Sequence, residues 1–418
     1  MSRHVVIVGG GVIGLCTALF CARRGWQVTL LERNGESRDG CSFQNAGMLV
    51  PSHFTPLAAP GMVALGLKWM WNPASPFYIK PRASWSLLDW ALKFWRAANA
   101  ARVRRAAPVL RDLHFASRDC YEELSTPDND FGLVKRGMLL LCKTQHSLDE
   151  ESMTAEQARS LGIPADALDS RQAAALDPGA RMDIAGAVYY PKDCHLVPHQ
   201  FMASLQRRVA QAGARFAWNS EVTGWRVEDG GRIRAAQLRG GEDIEADEFV
   251  LCGGSWSPQL VRKLGLRIPM QAGKGYSLTL PRPRQSPQIC ANLAEARIAV
   301  NPMDGALRFA GTMEIAGLNE DINPIRVRGI IDAVPRYYPE LKSGDFDGIQ
   351  PWRGLRPCSP DGLPYLGRSA RWSNLVIATG HAMMGMSLGP ITGKLAAAIL
   401  TGEKPGLDLS LLSPDRYQ

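Results

Sequence analysis

Three consecutive glycines, Gly9 to Gly11, interrupt an apolar run near the start of the chain and limit the folds available to it. The run from Val5 to Phe20 has 16 residues, whereas a helix needs about 20 to cross a bilayer. Glycine is also a poor helix former, and no small-residue cleavage pattern follows the run. We therefore expect neither a membrane span nor a secretion signal here.

A strand, a glycine turn, a helix and a second strand explain the stretch better. The letters VVIVG are typical of a strand buried on both faces, and QVTLLE predicts the next strand. Between them, the pattern Gly9-x-Gly11-x-x-Gly14 permits a tight turn, close approach to a pyrophosphate, and tight packing of the helix on the strand. The helix start offers N–H groups to phosphate, and Glu32 can bind ribose hydroxyls. This pattern predicts a dinucleotide site.

A second glycine-rich junction between a strand and a helix, from Gly380 to Gly389, indicates a flavin. A nicotinamide enzyme usually needs one glycine fingerprint and a separate catalytic domain. Reduced flavin carries negative charge at its pyrimidine end, and N–H groups at a helix start stabilise that charge without a titrating side chain. The second junction therefore weakens the alternative of a nicotinamide-dependent dehydrogenase.

The composition is that of an ordinary soluble enzyme. The chain has 418 residues, of which 45% are hydrophobic and 21% charged. Its nine cysteines are scattered without a C-x-x-C pair, which indicates reduced thiols in a cytoplasmic protein. No group of histidines and cysteines has metal-ligand spacing, so we expect no metal.

Much of the net charge of +8 lies in the segment from Lys93 to Leu113, for which three interpretations stay open. Nucleic acid is one possible partner of a basic segment, but no nucleic-acid motif accompanies it and we expect none. A solvated helix face is the second. The third is peripheral contact with the inner face of the cytoplasmic membrane, where aromatic rings lie at headgroup depth and cations meet anionic lipid. Five tryptophans before or inside the segment support it: Trp69, Trp71, Trp85, Trp90 and Trp95.

Seven motifs resemble those of a known family: VVIVGGGVIGLCTA, LLER, CSFQNAGMLVPS, KGYSLTL, VLCGGSWS, WRGLRPCSPDGLPYLG and IATGHAMMGMSLGP. Over nearly its whole length the chain resembles the D-amino-acid oxidase superfamily of FAD enzymes. Within it, SFQNAGMLVPS and RGLRPCSPDGLP point to the bacterial D-amino-acid dehydrogenases, including enzymes that act on D-proline or D-hydroxyproline.

The expected fold class is α/β. A Rossmann-like FAD-binding domain, with a parallel sheet and a β-meander, is combined with an inserted α+β substrate domain that has an antiparallel sheet. The predicted FAD-binding parts are residues 1–60, 145–267 and 351–418, and the predicted substrate parts are 61–144 and 268–350.

The resemblance implies noncovalent FAD, since related enzymes with covalent flavin place their cysteine elsewhere than Cys358. It assigns four groups of residues to the cofactor. They hold the pyrophosphate and ribose, line the flavin and phosphates, contact adenine or close over the dinucleotide, and bracket the isoalloxazine. The pyrophosphate and ribose group is Gly9, Gly11, Val12, Ile13, Gly14, Glu32 and Arg33, and the group lining the flavin and phosphates is Ser42, Asn45, Ala46, Gly47 and Met48. The group at the adenine and over the dinucleotide is Val222, Gly253, Gly254 and Trp256. The isoalloxazine group is Gly380, His381, Met384, Gly385, Met386 and Ser387.

Four residues are candidates for substrate contact. Arg356 matches the family's carboxylate-binding arginine, and a planar guanidinium can hold a carboxylate by two parallel hydrogen bonds. Tyr276 is a second donor to the carboxylate or a half-buried strand tyrosine. Lys274 faces the flavin or solvent. His53 walls the amine side of the pocket or is an ordinary loop histidine.

The expected reaction is oxidation of a D-amino acid to its imino acid, with the Cα hydrogen moving as hydride to flavin N5. The amine must be neutral, and an apolar pocket can achieve this by desolvation. The resemblance implies a quinone or another carrier as electron acceptor. Two alternatives stay open: an oxidase that reduces O₂ to H₂O₂, and a flavoprotein subunit active only within a complex.

Overall fold

A parallel sheet built around the first strand carries one half of the fold, and a larger mixed sheet carries the other. The computed structural model describes residues 3–69 and 75–418, so Trp71 lies outside the described residues. The strands are β1 (His4–Val8), β2 (Gln27–Leu31), β3 (Met48–Leu49), β4 (Phe77–Ile79), β5 (Met138–Cys142), β6 (Asp166–Asp169), β7 (Gly186–Tyr190), β8 (Cys194–His195), β9 (Arg215–Ala217), β10 (Val222–Glu228), β11 (Arg232–Leu238), β12 (Asp243–Glu245), β13 (Glu248–Leu251), β14 (Gln271–Leu280), β15 (Cys290–Leu293), β16 (Ile298–Met303), β17 (Ala306–Ile315), β18 (Trp352–Cys358), β19 (Tyr365–Arg368) and β20 (Leu375–Thr379). The α-helices are α1 (Val12–Ala22), α2 (Met62–Trp69), α3 (Trp85–Ala97), α4 (Ala100–Leu124), α5 (Gln145–Ser160), α6 (Ser170–Leu176), α7 (Pro198–Gln211), α8 (Ser257–Arg262), α9 (Pro324–Ala333) and α10 (Gly385–Thr401).

The first sheet has the strand order β19-β20-β13-β1-β2-β9, in which only β19 runs antiparallel to its neighbour. Both faces of β1 are covered. Val5 and Ile7 pack with helices α1, α7 and α10, and Val6 and Val8 pack with the meander β10-β11-β12 and with α8. This double burial explains the unbroken apolar run in the sequence. The predicted α/β fold with its meander is confirmed.

The second sheet has the order β18-β14-β17-β16-β15-β5-β7-β6, with β4 beside β17. One of its faces is apolar and packs under α9 and the segment after it. The side chains in this cluster include Tyr276, Leu278, Leu280, Ile298, Val300, Leu307 and Phe309, together with Val327 and Ile330 of α9. The other face carries Gly275, Ser277 and Arg308, and the side chains of Ser277 and Arg308 bind the loop that follows β2. The two faces therefore differ in chemistry.

Two of the predicted domain boundaries are wrong, because strands assigned to the FAD-binding domain belong to the second sheet. β6 and β7 lie inside the predicted part 145–267, yet β7 pairs antiparallel with β5. β18 lies inside the predicted part 351–418, yet it pairs antiparallel with β14. The chain changes sheet between β7 and β9, and again between β18 and β19.

Helix α10 fills the centre of the first half. Among the described residues, the helical stretch Ala382–Thr401 is long and apolar enough to span a membrane, but 78% of that apolar window is buried inside the protein. It crosses α1 closely, since a Cβ on Gly393 would lie 2.5 Å from the carbonyl carbon of Cys16. Its apolar composition is therefore explained as that of a core helix.

Candidate dinucleotide and substrate site

A long cleft follows the carboxyl ends of β1, β2, β13 and β20 and reaches the edge strand β18 of the second sheet. This is the edge at which open α/β sheets bind their ligands. The cleft brings together residues from both glycine junctions. The predicted residues that line it are Gly9, Gly11, Val12, Ile13, Glu32, Arg33, Ser42, Asn45, Val222, Gly253, Gly254, Trp256, His381, Gly385 and Met386.

The first junction leaves no room for side chains. Gly9 has φ +113°, and a Cβ on it would lie 2.5 Å from the carbonyl oxygen of Cys252. A Cβ on Gly14 would lie 1.8 Å from the Gly9 carbonyl oxygen, so helix α1 packs directly on the turn. The Val12 N–H, in the first turn of α1, donates to the Ser42 hydroxyl at 3.0 Å. The helix start is thus open to an anion, with one hydroxyl beside it.

The cleft end beside Glu32 has the polar groups expected for a ribose and an adenine. The Glu32 carboxylate accepts the Gly10 N–H at 2.8 Å and the Asn34 N–H at 2.9 Å, which fixes its orientation. The Arg33 guanidinium lies 3.6 Å from the centroid of the Trp256 ring, and both residues line the cleft.

Arg38 supports this end and was not predicted. Its Nε and Nη2 donate to the Gly10 carbonyl at 3.1 and 3.0 Å, and its guanidinium lies near the rings of Phe43 and Trp218. Burial is the main cause that lowers its pKa, while Glu32 raises it. The surrounding letters NGESRDG read as a loop and give no signal of this role.

The second junction forms the end of the cleft predicted to hold the flavin ring. Gly380 has φ +82°, and a Cβ on it would lie 2.8 Å from the Tyr365 ring. Helix α10 begins at Gly385 without a side-chain cap, so the N–H groups of its first turn are available at this end. Burial lowers the pKa of His381 to about 3, and its Nε2 lies 3.0 Å from the Thr392 hydroxyl. His381 is therefore neutral near pH 7.

Several predicted cofactor residues lie behind the cleft and not along it. Ser387 accepts the Val50 N–H at 3.0 Å and lies 2.9 Å from His114 Nδ1, so it joins α10 to β3. Gly47 has φ +78° in the turn before β3. The predicted residues that do not line the cleft are Gly14, Ala46, Gly47, Met48, Gly380, Met384 and Ser387.

Three side chains of the second sheet bind the backbone of the turn before β3. The Ser277 hydroxyl donates to the Gln44 carbonyl at 3.3 Å, Arg308 Nη1 to the Asn45 carbonyl at 3.0 Å, and Asn301 Nδ2 to the Ala46 carbonyl at 2.6 Å. Burial lowers the pKa of Arg308 to about 10. These residues, which were not predicted, fix the turn against the polar face of the sheet.

Arg356 lies on that same polar face; it does not itself line the cleft, whereas its chain neighbours Leu355 and Pro357 do. Its guanidinium rests on Gly275, where a Cβ would lie 2.1 Å from Nη1 and 2.4 Å from Cζ. Nη1 donates to the Thr312 carbonyl at 2.8 Å. Burial raises the pKa of the Cys41 thiol, which lines the cleft, and the charge of Arg356 opposes that effect. A guanidinium, a group able to bind a carboxylate by two parallel hydrogen bonds, thus flanks the cleft.

Tyr276 and Lys274 lie on the opposite face of the sheet, so Tyr276 is a strand tyrosine and neither residue lines the cleft. The Tyr276 hydroxyl donates to Glu314 at 2.8 Å and accepts the Asn323 N–H at 3.2 Å. Lys274 Nζ donates to the Asn319 side chain and the Asp321 carbonyl, both at 2.6 Å. Side chains alternate along a strand, and a one-residue step exchanges the faces. The two residues hold the loop after β17 and do not reach the cleft.

His53 does not line the cleft. Its backbone N–H donates to the Val50 carbonyl at 2.9 Å, in the turn after β3. Burial is the main cause that lowers its pKa to about 4, and the charge of Arg297 adds to it. His53 is therefore neutral near pH 7, and the structure does not bring its ring to the wall of the cleft.

An ion-pair network lies at the mouth of the flavin end and was not predicted. Arg353 pairs with Asp39 at 2.8 Å and with Glu320 at 3.5 Å, and all three residues line the cleft. Both carboxylates at this end are thus paired. Across residues 3–69 and 75–418, no three His, Cys, Asp or Glu side chains are grouped to hold a metal ion.

Comparisons with known proteins agree with this geometry. A family model described as FAD dependent oxidoreductase (DAO) matches residues 4–399. Two curated relatives named D-amino acid dehydrogenase, from Agrobacterium fabrum and Granulibacter bethesdensis, are 32% and 31% identical, each over 99% of this chain and 99% of their own length. Among solved structures, glycine oxidase from Geobacillus kaustophilus has a TM-score of 0.79 at 24% identity over 100% of both chains. L-proline dehydrogenase from P. horikoshii has a TM-score of 0.73 at 16% identity over 100% of this chain and 98% of that one.

Proposed function

The chain belongs to the FAD dependent oxidoreductase (DAO) family, and from this premise we propose that it oxidises a D-amino acid to its imino acid and passes the electrons to a quinone. The protein is an FAD-dependent oxidoreductase, and FAD is its noncovalent cofactor. The observation that carries the proposal is the Arg356 guanidinium, which rests on Gly275 beside the flavin end of the cleft.

The cleft residues fit FAD. Gly9 and Gly14 leave a turn without side chains, the start of α1 is open to phosphate, and Glu32 is oriented by two backbone N–H groups. The Cys358 thiol is fully buried and donates to the Arg356 carbonyl at 3.5 Å, which agrees with a noncovalent cofactor. When bound, FAD supplies the two-electron acceptor for the Cα hydrogen of the substrate. The side chains around it bind and orient that substrate.

Arg356 is the residue proposed to bind the substrate carboxylate. Its Nη1 donates to the Thr312 carbonyl and its planar group is supported by Gly275, so its orientation is fixed before substrate binds. Two parallel hydrogen bonds from a fixed guanidinium would set the position of the substrate Cα. Loss of this group should therefore affect both binding and turnover.

The substrate amine would have to be neutral at the moment of oxidation. The two carboxylates at this end of the cleft, Asp39 and Glu320, are paired with Arg353, and His381 is neutral near pH 7. An ammonium group held there would lack an anionic partner among the described lining residues. Desolvation would then favour release of its proton to water, without a dedicated base.

The D configuration, the quinone and a location at the inner face of the cytoplasmic membrane are the finer parts of the proposal. The two curated relatives, 32% and 31% identical, carry the name D-amino acid dehydrogenase, which supports a D-amino acid and an acceptor other than O₂. The amino acid would lose two electrons and two protons, and a quinone would gain both to give a quinol. The alternatives are an oxidase that forms H₂O₂ and a subunit active only within a complex.

An anaerobic absorbance screen tests the proposal. Purified holoenzyme is titrated with both enantiomers of the amino acids, including the isomers of proline and hydroxyproline. We expect D-amino acids to bleach the flavin absorbance. Bleaching by L-amino acids alone, or by none, would overturn the proposed substrate class. In air, we expect reduction of a soluble quinone or dye to exceed H₂O₂ release, whereas stoichiometric H₂O₂ would identify an oxidase.

A further inference from the structure

Helix α3 carries an apolar stripe that faces water. Trp85, Leu88, Leu92 and Trp95 are 87%, 60%, 44% and 62% exposed. At 3.6 residues per turn these four side chains fall within about 80° of the helix circumference and span about 15 Å. A continuous exposed apolar patch of this kind marks an interaction surface, since surface helices normally turn their apolar side to a core.

The opposite side of α3 packs against the rest of the protein. The stripe is therefore not the face by which α3 joins the core. Trp90 is 3% exposed, stacks on Phe94 with 5.1 Å between ring centroids, and donates from Nε1 to the Cys358 carbonyl at 2.9 Å. Trp90 also shares a cluster with Cys358 and Ala382, and Ala382 lines the cleft. One side of helix α3 therefore packs near the flavin end of the cleft, and the exposed stripe lies on its other side.

Three arginines that form no ion pair with any described residue lie close after the stripe in the chain. Arg96, Arg104 and Arg105 are exposed, at the end of α3 and in the first two turns of α4, and the structure gives them no ion pair across the described chain. Asp89 in α3 is paired with Lys93 and with Arg267. Arg96 directly follows Trp95, and unpaired guanidinium groups close to exposed apolar side chains in the chain complement an anionic bilayer surface, where tryptophan rings lie at headgroup depth and cations meet lipid phosphate.

We propose that the stripe Trp85-Leu88-Leu92-Trp95, together with Arg96, Arg104 and Arg105, docks the protein on an anionic lipid bilayer. Docking there would place the flavin end of the cleft one helix away from membrane quinone. The inference that docking serves electron transfer to quinone rests on the proposed function. Binding of the stripe to lipid does not. A self-associating surface is disfavoured, because two copies would bring the same unpaired cations together.

Vesicle flotation of the full-length holoenzyme tests the docking. The vesicles are phosphatidylcholine alone or mixed with phosphatidylglycerol, at low and at high salt. We expect the wild-type protein to float with the anionic vesicles at low salt and much less with the others. The variant Trp85→Gln/Trp95→Gln should lower the partition coefficient by at least about tenfold. The variant Arg104→Gln/Arg105→Gln should lower it by about fivefold for each arginine.

The matched control is Met153→Gln/Leu176→Gln, which changes two exposed apolar side chains on α5 and α6, 65% and 42% exposed, outside the stripe. It should float like the wild type. Docking by α3 is overturned if the wild type stays in the dense fraction, or if the control and stripe variants lose flotation equally. A concentration-dependent dimer in size-exclusion chromatography that the stripe variants abolish, without flotation, would assign the stripe to self-association instead.

Two electron acceptors, one soluble and one embedded in vesicles, distinguish an effect on lipid binding from an effect on substrate oxidation. With a D-amino acid, the stripe variants should keep wild-type reduction of a water-soluble dye and lose most of the reduction of a long-chain quinone embedded in anionic vesicles. Equal rates with both acceptors in wild type and variants would overturn the link between docking and electron transfer. Flotation without flavin bleaching would leave the docking in place and overturn the proposed function alone.

Discussion

Substitution of Gly275 tests the substrate site directly, because the absence of a side chain at this position makes room for the Arg356 guanidinium. In Gly275→Ala the new Cβ would lie 2.1 Å from Nη1 and 2.3 Å from Nη2, whereas ordinary contact begins near 3.4 Å. The guanidinium must therefore move by at least about 1 Å, since arginine tips are flexible and the strand is not. Its two bonds to the substrate carboxylate would no longer align.

The expected magnitude follows from the loss of one charged hydrogen bond. Such a bond contributes about 1.5–3 kcal/mol, which corresponds to a decrease in kcat/KM of about 10- to 150-fold. Most of the change should be a higher KM, with a smaller loss in kcat from misplacement of the Cα. Gly275 does not line the cleft, so the flavin spectrum and the FAD content should not change.

Steady-state dye reduction over a range of D-amino acid concentrations measures this effect. The control is Gly240→Ala, because a Cβ on Gly240 meets nothing within 4 Å and its φ is not positive. In an Arg356→Ala background, Gly275→Ala should have little further effect, since the group that it displaces is absent. Wild-type kinetics for Gly275→Ala, or an equal fold loss in both backgrounds, would refute the proposed contact.

Three further predictions concern the buried polar groups. Tyr276→Phe should leave KM unchanged and lower the thermal midpoint, because its hydroxyl binds Glu314 and not substrate; a raised KM in dye-reduction kinetics would contradict this. Asp361 is fully buried and pairs with Arg102 at 2.8 Å and Arg416 at 2.9 Å. Asp361→Asn should therefore lower the free energy of unfolding by about 3–5 kcal/mol in urea titrations, and a loss below about 1 kcal/mol would be too small for a buried ion pair. Burial lowers the pKa of both His114 and His381 to about 3, from 6.5. Their stabilising contribution is thus complete above pH 6.5 and lost as the pH falls, by about 1.4 kcal/mol for each at pH 5.5. Urea midpoints at pH 7.5 and pH 5.5 test it, and a midpoint that does not fall would contradict it.

The glycine junctions could be predicted from the sequence because their requirements are local. Only glycine suits φ +113° at Gly9, and only glycine fits at position 14, where a Cβ would lie 1.8 Å from the Gly9 carbonyl oxygen. The β-branched strand next to them is recognised without any distant partner. The same holds for Gly380 before α10. These local rules were sufficient to predict the class of cofactor from the sequence.

The errors have non-local causes. The face on which Tyr276 lies depends on strand pairing, and the pairing of β14 with β17 shifts register between Lys274 and Tyr276. Membership of β7 in the second sheet depends on β5, which lies more than 40 residues earlier in the chain. Alternation of apolar residues identifies a strand, but it does not identify the neighbour of that strand.

The supporting residues that the sequence did not reveal bind backbone groups far away along the chain. Arg308 reaches the Asn45 carbonyl across 263 positions, and Asn301 reaches the Ala46 carbonyl across 255. A backbone acceptor carries no residue signature, so such pairs follow only from the assembled fold.

Anaerobic reduction of the flavin by a D-amino acid, followed in the wild type and in Arg356→Ala, tests the central claim most directly. The purified wild type should be yellow and should bleach with a rate that saturates in substrate concentration. Arg356→Ala should keep its bound FAD and need far more substrate to bleach. A wild type that takes up no FAD, or an Arg356→Ala variant with an unchanged concentration dependence, would contradict a single site that joins both glycine junctions to an arginine-bound substrate.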